Sequence, residues 1–551
     1  MNKNLRNSLL MLAAGAFAVS CADYNVTDNF KADPDPTVVE PYKDLATVKS
    51  YIDRATYPNL TLGATLKVTE FNKQELAHAA AVANFDNVAF GNTLMSGSII
   101  NAKGVMNFLD MSDLLTHVDD IGYEVYGSPI VANANQADDW LNTLTAPIEV
   151  QVESVVDTLV DYTKMETFTG TAKSGKPTIV KNYDGNDNAL KIPKTSKVYI
   201  AEGFDVDTLG AYTITFYAQA DKDETVMCTF ADNKIQEKGK NVKFSIKAGG
   251  WKKIVVETTP ASGATEGYFM IEGNYNSVIY IQKVTVVHTP DNHRPQTAEE
   301  RRDTINYALN AWCDGLMKIN EGRITSFDLI DEPIDVKAEI QDGIYDLKHS
   351  TDKIFWQDIF GSENYAPVVS KVAGSAFEKH GGNPAELKFF ISETGLESDK
   401  KFESLKYWIN TWDAKGAKID GINAKLNLTY SEDAATQEAN KATLDKLLDN
   451  LASTGKLIRL SNFDIKYQDA EGANVAAKDI TDAQRQKLAD YYGYVIKSYM
   501  TKISNDKQAG ICKGNLADTS DPVGLWSVDS KSKDWVRNAT YEAFCKALGG
   551  N

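Results

Sequence analysis

The chain has 551 residues, more than one ordinary domain holds, and it is 43% hydrophobic and 24% charged, as soluble globular proteins are. Its formal net charge of −18 excludes the broad cationic footprint that nucleic acid requires. The five cysteines, Cys21, Cys228, Cys313, Cys512 and Cys545, include no CxxC pair, so no metal and no cofactor are expected.

The chain opens with a basic stretch, Met1-Asn2-Lys3-Asn4-Leu5-Arg6, followed by an apolar run over 9–19 that is too short to cross a bilayer comfortably. Ala18-Val19-Ser20-Cys21 then looks like a bacterial lipobox, although Ala18 stands where leucine is usual. The expectation is a signal over 1–21 with lipidation of Cys21, and hence an outer-membrane lipoprotein, with simple secretion as the alternative. Residues 22–39, rich in Asp, Asn and Pro, read as a tether.

Over 40–148, strands are predicted at 60–68, 85–90 and 124–131, with helices at 73–83 and 110–122. Such alternation implies a parallel sheet. The pattern changes near Pro147: over 149–293 short alternating strands recur, for example at 212–218, 242–246, 253–256, 267–271 and 278–281. This predicts an inserted β-sandwich of jelly-roll type. Within it, Tyr212, Ile214 and Phe216 share a core face and Tyr217 the opposite one, while Cys228, like Cys313, Cys512 and Cys545, reads as a buried thiol, one disulfide being left open.

Over 294–551 the α/β alternation resumes. A helix is predicted from Thr297 to about 320, then strands at 326–330, 387–391, 421–428 and 457–463, helices at 434–453 and 481–505, and a last strand near 524–528. Three β-α units before the interruption and five after it make an α/β fold, a (β/α)8 TIM barrel with the sandwich inserted after its third strand.

Several segments carry a specific resemblance. Phe327-Asp328-Leu329-Ile330-Asp331-Glu332 resembles the Trp-Asp-Val-Val-Asn-Glu of family 10 glycoside hydrolases, the endo-1,4-β-xylanases. Gly524-Leu525-Trp526-Ser527-Val528-Asp529, with Trp535, resembles the tryptophan wall of that family's sugar cleft. Leu460-Ser461-Asn462-Phe463-Asp464-Ile465 resembles its seventh strand, which typically ends Thr-Glu-Leu-Asp-Ile. The inserted sandwich is similar to carbohydrate-binding modules in xylanases of gut and rumen Bacteroidetes.

The resemblance also exposes losses. The family's catalytic glutamate is Asn462 here, and its Asn before the acid/base is Asp331. Of Thr-x-Glu-Asn-x-x-Lys only Asn92 survives, both histidines of the third strand are gone over 127–135, and Gly421-Ile422-Asn423-Ala424-Lys425 lacks the histidine of Gly-x-Gln-x-His. Asn-Asp-Tyr-Asn after strand five becomes Ser392-Glu393-Thr394-Gly395.

Retaining glycosidases use two carboxyls about 5–5.5 Å apart. Glu332 keeps the acid/base position, either as retained acid or as an acceptor for a sugar hydroxyl, and the nucleophile is a neutral carboxamide. Asp464, placed by strand alternation on the same side as Asn462, and Glu393 are the two acids that stand in line as a replacement base. Read otherwise, Asp464 is a structural hydrogen-bonding residue and Glu393 a solvated loop acid. Trp526, Trp535 and Trp140 are candidate stacking platforms for sugar rings, with Asn92 and Asp331 as polar contacts.

The resemblance implies a cell-surface lipoprotein that captures plant polysaccharide, xylan first, with an impaired active site and with glycan-uptake proteins as partners. An active xylanase-like hydrolase using Glu332 with Asp464 or Glu393 is the alternative. A surface scaffold with no glycan ligand is the third reading.

Overall fold

The computed structural model describes residues 42–149, 157–185, 187–206, 210–232, 241–260, 265–290 and 293–550. The expected signal, the lipidation site Cys21 and the tether lie outside the described residues. The chain forms two compact units. One joins the residues up to Thr145 with Ala298–Asn551, and the other is Ala146–Thr297, a few residues wider at each end than the 149–293 expected from sequence.

The first unit is an eight-stranded parallel barrel. Its strands are β1 (Leu62–Thr65), β2 (Asn87–Ala89), β3 (Glu124–Tyr126), β4 (Ser326–Asp331), β5 (Lys388–Thr394), β6 (Gly421–Lys425), β7 (Leu457–Ser461) and β8 (Gln508–Lys513). They pair in the order β3-β2-β1-β8-β7-β6-β5-β4. The ring closes beyond β3, where Val131–Ala132 pairs with β4 and the Gly127 N–H donates to the Ser326 carbonyl at 2.8 Å. Glycine is required there, because a Cβ on Gly127 would lie 2.1 Å from the Phe327 ring.

Runs of Leu, Ile and Phe drive these strands together. Leu329, Ile330, Phe389, Ile391, Ile422, Ile458 and Leu460 are all buried, and full burial of each such side chain is worth roughly 1.5–3 kcal/mol. Helices cover the outside with one apolar stripe each. Asp399–Ala414 buries Phe402, Leu405, Trp408, Ile409 and Trp412 at three- and four-residue spacing, and Ser398 caps it. Asp482–Lys502 starts in a capping box made by Thr481 and Gln484.

The expected last strand at 524–528 is corrected. The eighth strand is Gln508–Lys513, and Trp526–Val528 is one arm of a hairpin antiparallel to Trp535–Arg537. Polar ends hid β8: Gln508 is fully buried, with its amide donating to the Met500 and Ile503 carbonyls, and Lys513 is paired inside the fold. The helix expected at 73–83 runs Leu76–Asn84, and a separate short helix, Val68–Asn72, precedes it, with Gln74 between them at φ 55°.

The second unit is a pair of antiparallel sheets. Five strands run in the order Asn241–Ile246, Glu224–Asp232, Glu266–Glu272, Lys197–Asp205, Ala172–Ser174. The other sheet runs Lys252–Thr258, Gly210–Ala220, Ile279–Pro290, Asp187–Ile192, Thr178–Tyr183. Strict alternation along Gly210–Ala220 buries Tyr212, Ile214 and Phe216 against Phe230, Phe269 and Ile271 of the facing sheet. Cys228, Cys313, Cys512 and Cys545 are free and buried.

Candidate active site

In a barrel of this kind the chemistry sits at the carboxyl ends of the strands. Four neighbouring strands deliver polar side chains there. Register carries the row across the ring: Asp331 of β4 lies beside Ser392 of β5, Thr394 beside Lys425 of β6, and Lys425 beside Ser461 of β7. Glu332 and Asn462, each one residue past its strand, both adopt left-handed backbone, at φ 46° and 51°. Such conformations in non-glycine residues concentrate at functional positions.

Lys425 dominates this end. Its ammonium binds the Asp331 carboxylate and donates to Glu332 Oε1 at 3.1 Å. Asp331 also accepts from Ser392 Oγ at 2.6 Å, and Lys348 Nζ lies 3.8 Å from Glu332 Oε2. Burial by itself would raise the Glu332 carboxyl, but Lys425, helped by Lys348 and Lys401, outweighs it and holds the group below the usual range. Glu332 is thus ionised at neutral pH, the opposite of what a proton-donating acid needs. In the resemblance drawn above, Lys425 stands where the family keeps a histidine.

Asn462 is exposed and carries no charge. The expectation that Asp464 points the same way by strand alternation is corrected: β7 ends at Ser461, and the left-handed turn at Asn462 breaks the alternation. The Asp464 side chain turns to β8, where it binds the buried Lys513 ammonium and accepts from the Asn515 N–H at 3.1 Å and the Asn515 amide. Desolvation pulls the Lys513 ammonium down, against the field of Asp464. Asp464 acts as the counter-ion that makes this burial tolerable.

Glu393 is corrected too. It is no solvated loop acid but is fully buried. Its Oε1 pairs with Lys401 Nζ at 2.8 Å and accepts from the Thr394 N–H, and its Oε2 accepts from the Ile334 N–H at 3.1 Å. Desolvation is the largest influence on its carboxyl, which is raised. With both oxygens engaged and the side chain fully buried, it anchors the chain just after Glu332.

Beside these acids a cleft of about 640 Å³ is lined by Thr394, Gly395, Glu397, Leu426, Asn427 and Asn462. Of the other polar candidates, Asn92 is exposed in the short turn Gly91–Leu94 after β2. The tryptophans divide. Trp140 and Trp526 are each only 6% exposed, so neither offers a ring face to a sugar. Trp526 packs edge-on to Tyr541 and against Trp535, which keeps part of its surface.

Below the mouth, the barrel interior holds a polar group of its own. Asp328 accepts from the Tyr126 hydroxyl at 2.7 Å and from Asn423 Nδ2 at 3.1 Å, and the Arg459 guanidinium lies 3.8 Å over the Tyr126 ring. Burial, then the field of Asp331, pushes the Asp328 carboxyl up to about 6. In the sandwich, Tyr183 and Tyr280 stack at 4.3 Å, and Trp251 lies edge-on to Tyr183 with its indole N–H donating to Asp184.

Glu332, Asp331 and Asn462, singled out from the sequence, lie at or just past the ends of their strands, whereas Lys425, Lys348 and Glu397 were not singled out. The signal for Lys425 was a lysine two residues after Asn423 on a strand whose alternate positions face the barrel axis. Nothing in the linear pattern marks Glu397.

Residues 286–521 match the family model described as glycosyl hydrolase family 10. Among solved structures the chain is similar to native CbXyn10B, at 11% identity and a TM-score of 0.51 over 91% of this chain and 99% of that one. It is likewise similar to xylanase B from Clostridium stercorarium F9, at 12% identity and a TM-score of 0.50 over 91% and 99%. At such identities the likeness speaks for the fold. No curated protein matches the chain.

Proposed function

We propose that this chain, whose barrel is of the glycosyl hydrolase family 10 type over residues 286–521, captures plant polysaccharide without cutting it. Xylan is the first candidate, since the structural relatives are xylanases by name. The observation that carries this reading is the clamp of Lys425 on Asp331 and Glu332. It keeps the remaining acid ionised, and the facing position at Asn462 has no charge with which to attack an anomeric carbon. Asp464 and Glu393 are bound to lysines and backbone N–H groups, which argues against either as a replacement base.

The proposal includes attachment to the outer membrane through Cys21, resting on the lipobox pattern, and presentation of glycan to uptake partners. Affinity electrophoresis of the purified protein across a panel of soluble polysaccharides tests it. Retardation by xylan is expected, and unchanged mobility on every glycan would leave a scaffold instead.

A further inference from the structure

The helical outer layer of the barrel unit carries a second depression, of about 510 Å³, which shares no lining residue with the cleft beside Asn462. Three segments build it. They are the N-terminal part of the helix Ala298–Asn320, the start of the helix Tyr365–Lys379, and the turn that links the helix Asp399–Ala414 to β6. That turn ends just before Gly421, so the depression meets β6 at its amino end, opposite the end that carries Lys425. The amino ends of barrel strands are not where this fold places its chemistry.

The lining is cationic. It includes Arg302, Lys371, Lys415 and Lys418, and among the described residues that form it there is no acid. The chain as a whole has a formal net charge of −18, so such a grouping runs against its average. The carboxylates that come near belong to two pairs, Lys415 with Glu363 at 2.6 Å and Lys418 with Asp420 at 3.0 Å. Arg302 and Lys371 are exposed and have no carboxylate partner among the described residues. The depression therefore holds an excess of two positive charges. Acids elsewhere on the surface do not cancel it, since screening at physiological ionic strength acts over about 8 Å.

The frame is fixed while the cations can adjust. The Lys418 backbone N–H donates to Ser370 Oγ, whose own hydroxyl donates to the Pro367 carbonyl, both at 3.2 Å. The Trp412 indole N–H donates to the Ser362 carbonyl at 2.8 Å, tying the end of one helix to the approach to the other. Asn364 precedes the 15-residue helix, and its side chain makes no capping hydrogen bond, which leaves a carboxamide donor at the positive end of the helix dipole. The Lys415–Glu363 pair is solvent-exposed and weak, so it gives way to a better acceptor.

These features select a ligand. A guanidinium offers a planar fork to oxygens, an ammonium a point charge, and a carboxamide one further donor. Two excess positive charges match a phosphate monoester, which carries roughly 1.5–2 negative charges at neutral pH. A single carboxylate would leave one of them uncompensated. We propose that this depression binds a phosphate monoester, held by Arg302 and Lys371 with Asn364 as a further donor. The phosphate belongs to a soluble phosphorylated compound or to a lipid headgroup, and the chemistry of recognition is the same. The site does not depend on what the carboxyl ends of the strands bind.

The test is isothermal titration of the full chain with inorganic phosphate at low salt, comparing wild type, the double variant Arg302→Gln/Lys371→Gln, and Lys531→Gln. All three side chains are exposed, and Lys531 lies outside the depression, so it controls for loss of charge alone. One saturable site per chain is expected, weakened at least tenfold in the double variant and within about twofold of wild type in Lys531→Gln. Sedimentation with vesicles of equal parts phosphatidylcholine and phosphatidic acid separates the two sources, any lipid anchor being common to all the proteins. Pelleting that the double variant loses assigns the site to a headgroup. Equal pelleting, beside phosphate binding that the double variant loses, assigns it to a soluble compound. No saturable phosphate binding together with equal pelleting would overturn the site, and so would an equal loss in Lys531→Gln.

Discussion

Lys425 reaches from the end of β6 to two carboxylates on the end of β4, binding Asp331 and standing 3.1 Å from Glu332 Oε1. One cation thereby fills the space between the acid that remains and the strand that carries Asn462, since Lys425 is also the register partner of Ser461. Burial opposes ionisation of Glu332, but the lysines outweigh it and the group is held ionised.

Removing that cation leaves two partly buried carboxylates facing each other. Lys425→Met is expected to cost about 2–4 kcal/mol, below the roughly 3–5 kcal/mol for breaking a fully buried pair because Glu332 keeps a third of its surface. Glu332 is depressed, so its contribution is fully present above the ordinary carboxylate range and is lost as pH falls through its lowered pKa. Urea unfolding at pH 7 and pH 3 checks both points: the deficit should be large at pH 7 and shrink at pH 3.

Restoring a carboxylate alone should not restore cleavage. Asn462→Glu puts charge back, but Glu332 stays ionised beside Lys425. The left-handed backbone at position 462, φ 51°, suits asparagine and costs glutamate roughly 1–2 kcal/mol. Reducing ends released from xylan by Asn462→Glu should remain at background. Release by this single variant would show that Lys425 does not disable the acid.

The tryptophans should separate stability from binding. Trp526 and Trp140 are buried, so replacing either with alanine should cost about 3–5 kcal/mol. Trp535 retains surface, and Trp535→Ala should lower glycan affinity several-fold with little change in melting temperature. Calorimetric melting and xylan titration of the three variants measure this. Equal destabilisation in all three would contradict it.

Asp328 gives the barrel a pH signature. Its carboxyl is raised to about 6, so between about pH 4 and pH 6 the folded protein holds a proton that the unfolded chain releases. Stability therefore falls as pH rises across that window, by roughly 3 kcal/mol for a group fully buried. Asp328→Asn should flatten this slope. Asn423, whose Oδ1 has no partner, can turn to accept from the new amide. Unfolding free energies at half-unit pH steps decide the matter, and parallel curves for wild type and variant would refute it.

The barrel was legible where strands are apolar and regular. β4 to β7 carry buried Ile, Leu and Phe runs that no other period explains. β8 was not, because Gln508, Gly510 and Lys513 break the apolar pattern and their partners come from elsewhere in the chain. The site followed the same division. Asn462, Asp331 and Glu332 stand in recognisable strings, whereas the Lys425 clamp and the Lys513–Asp464 pair exist only once distant strands lie side by side. Trp140 and Trp526 were misread as platforms because composition does not distinguish a ring that faces solvent from one that fills a core.

The most direct test of the central claim is prolonged incubation of the purified protein with xylan, followed by quantitation of reducing ends. This account expects tight binding with no release above a protein-free control. Release of xylo-oligosaccharides that Glu332→Ala abolishes would contradict it.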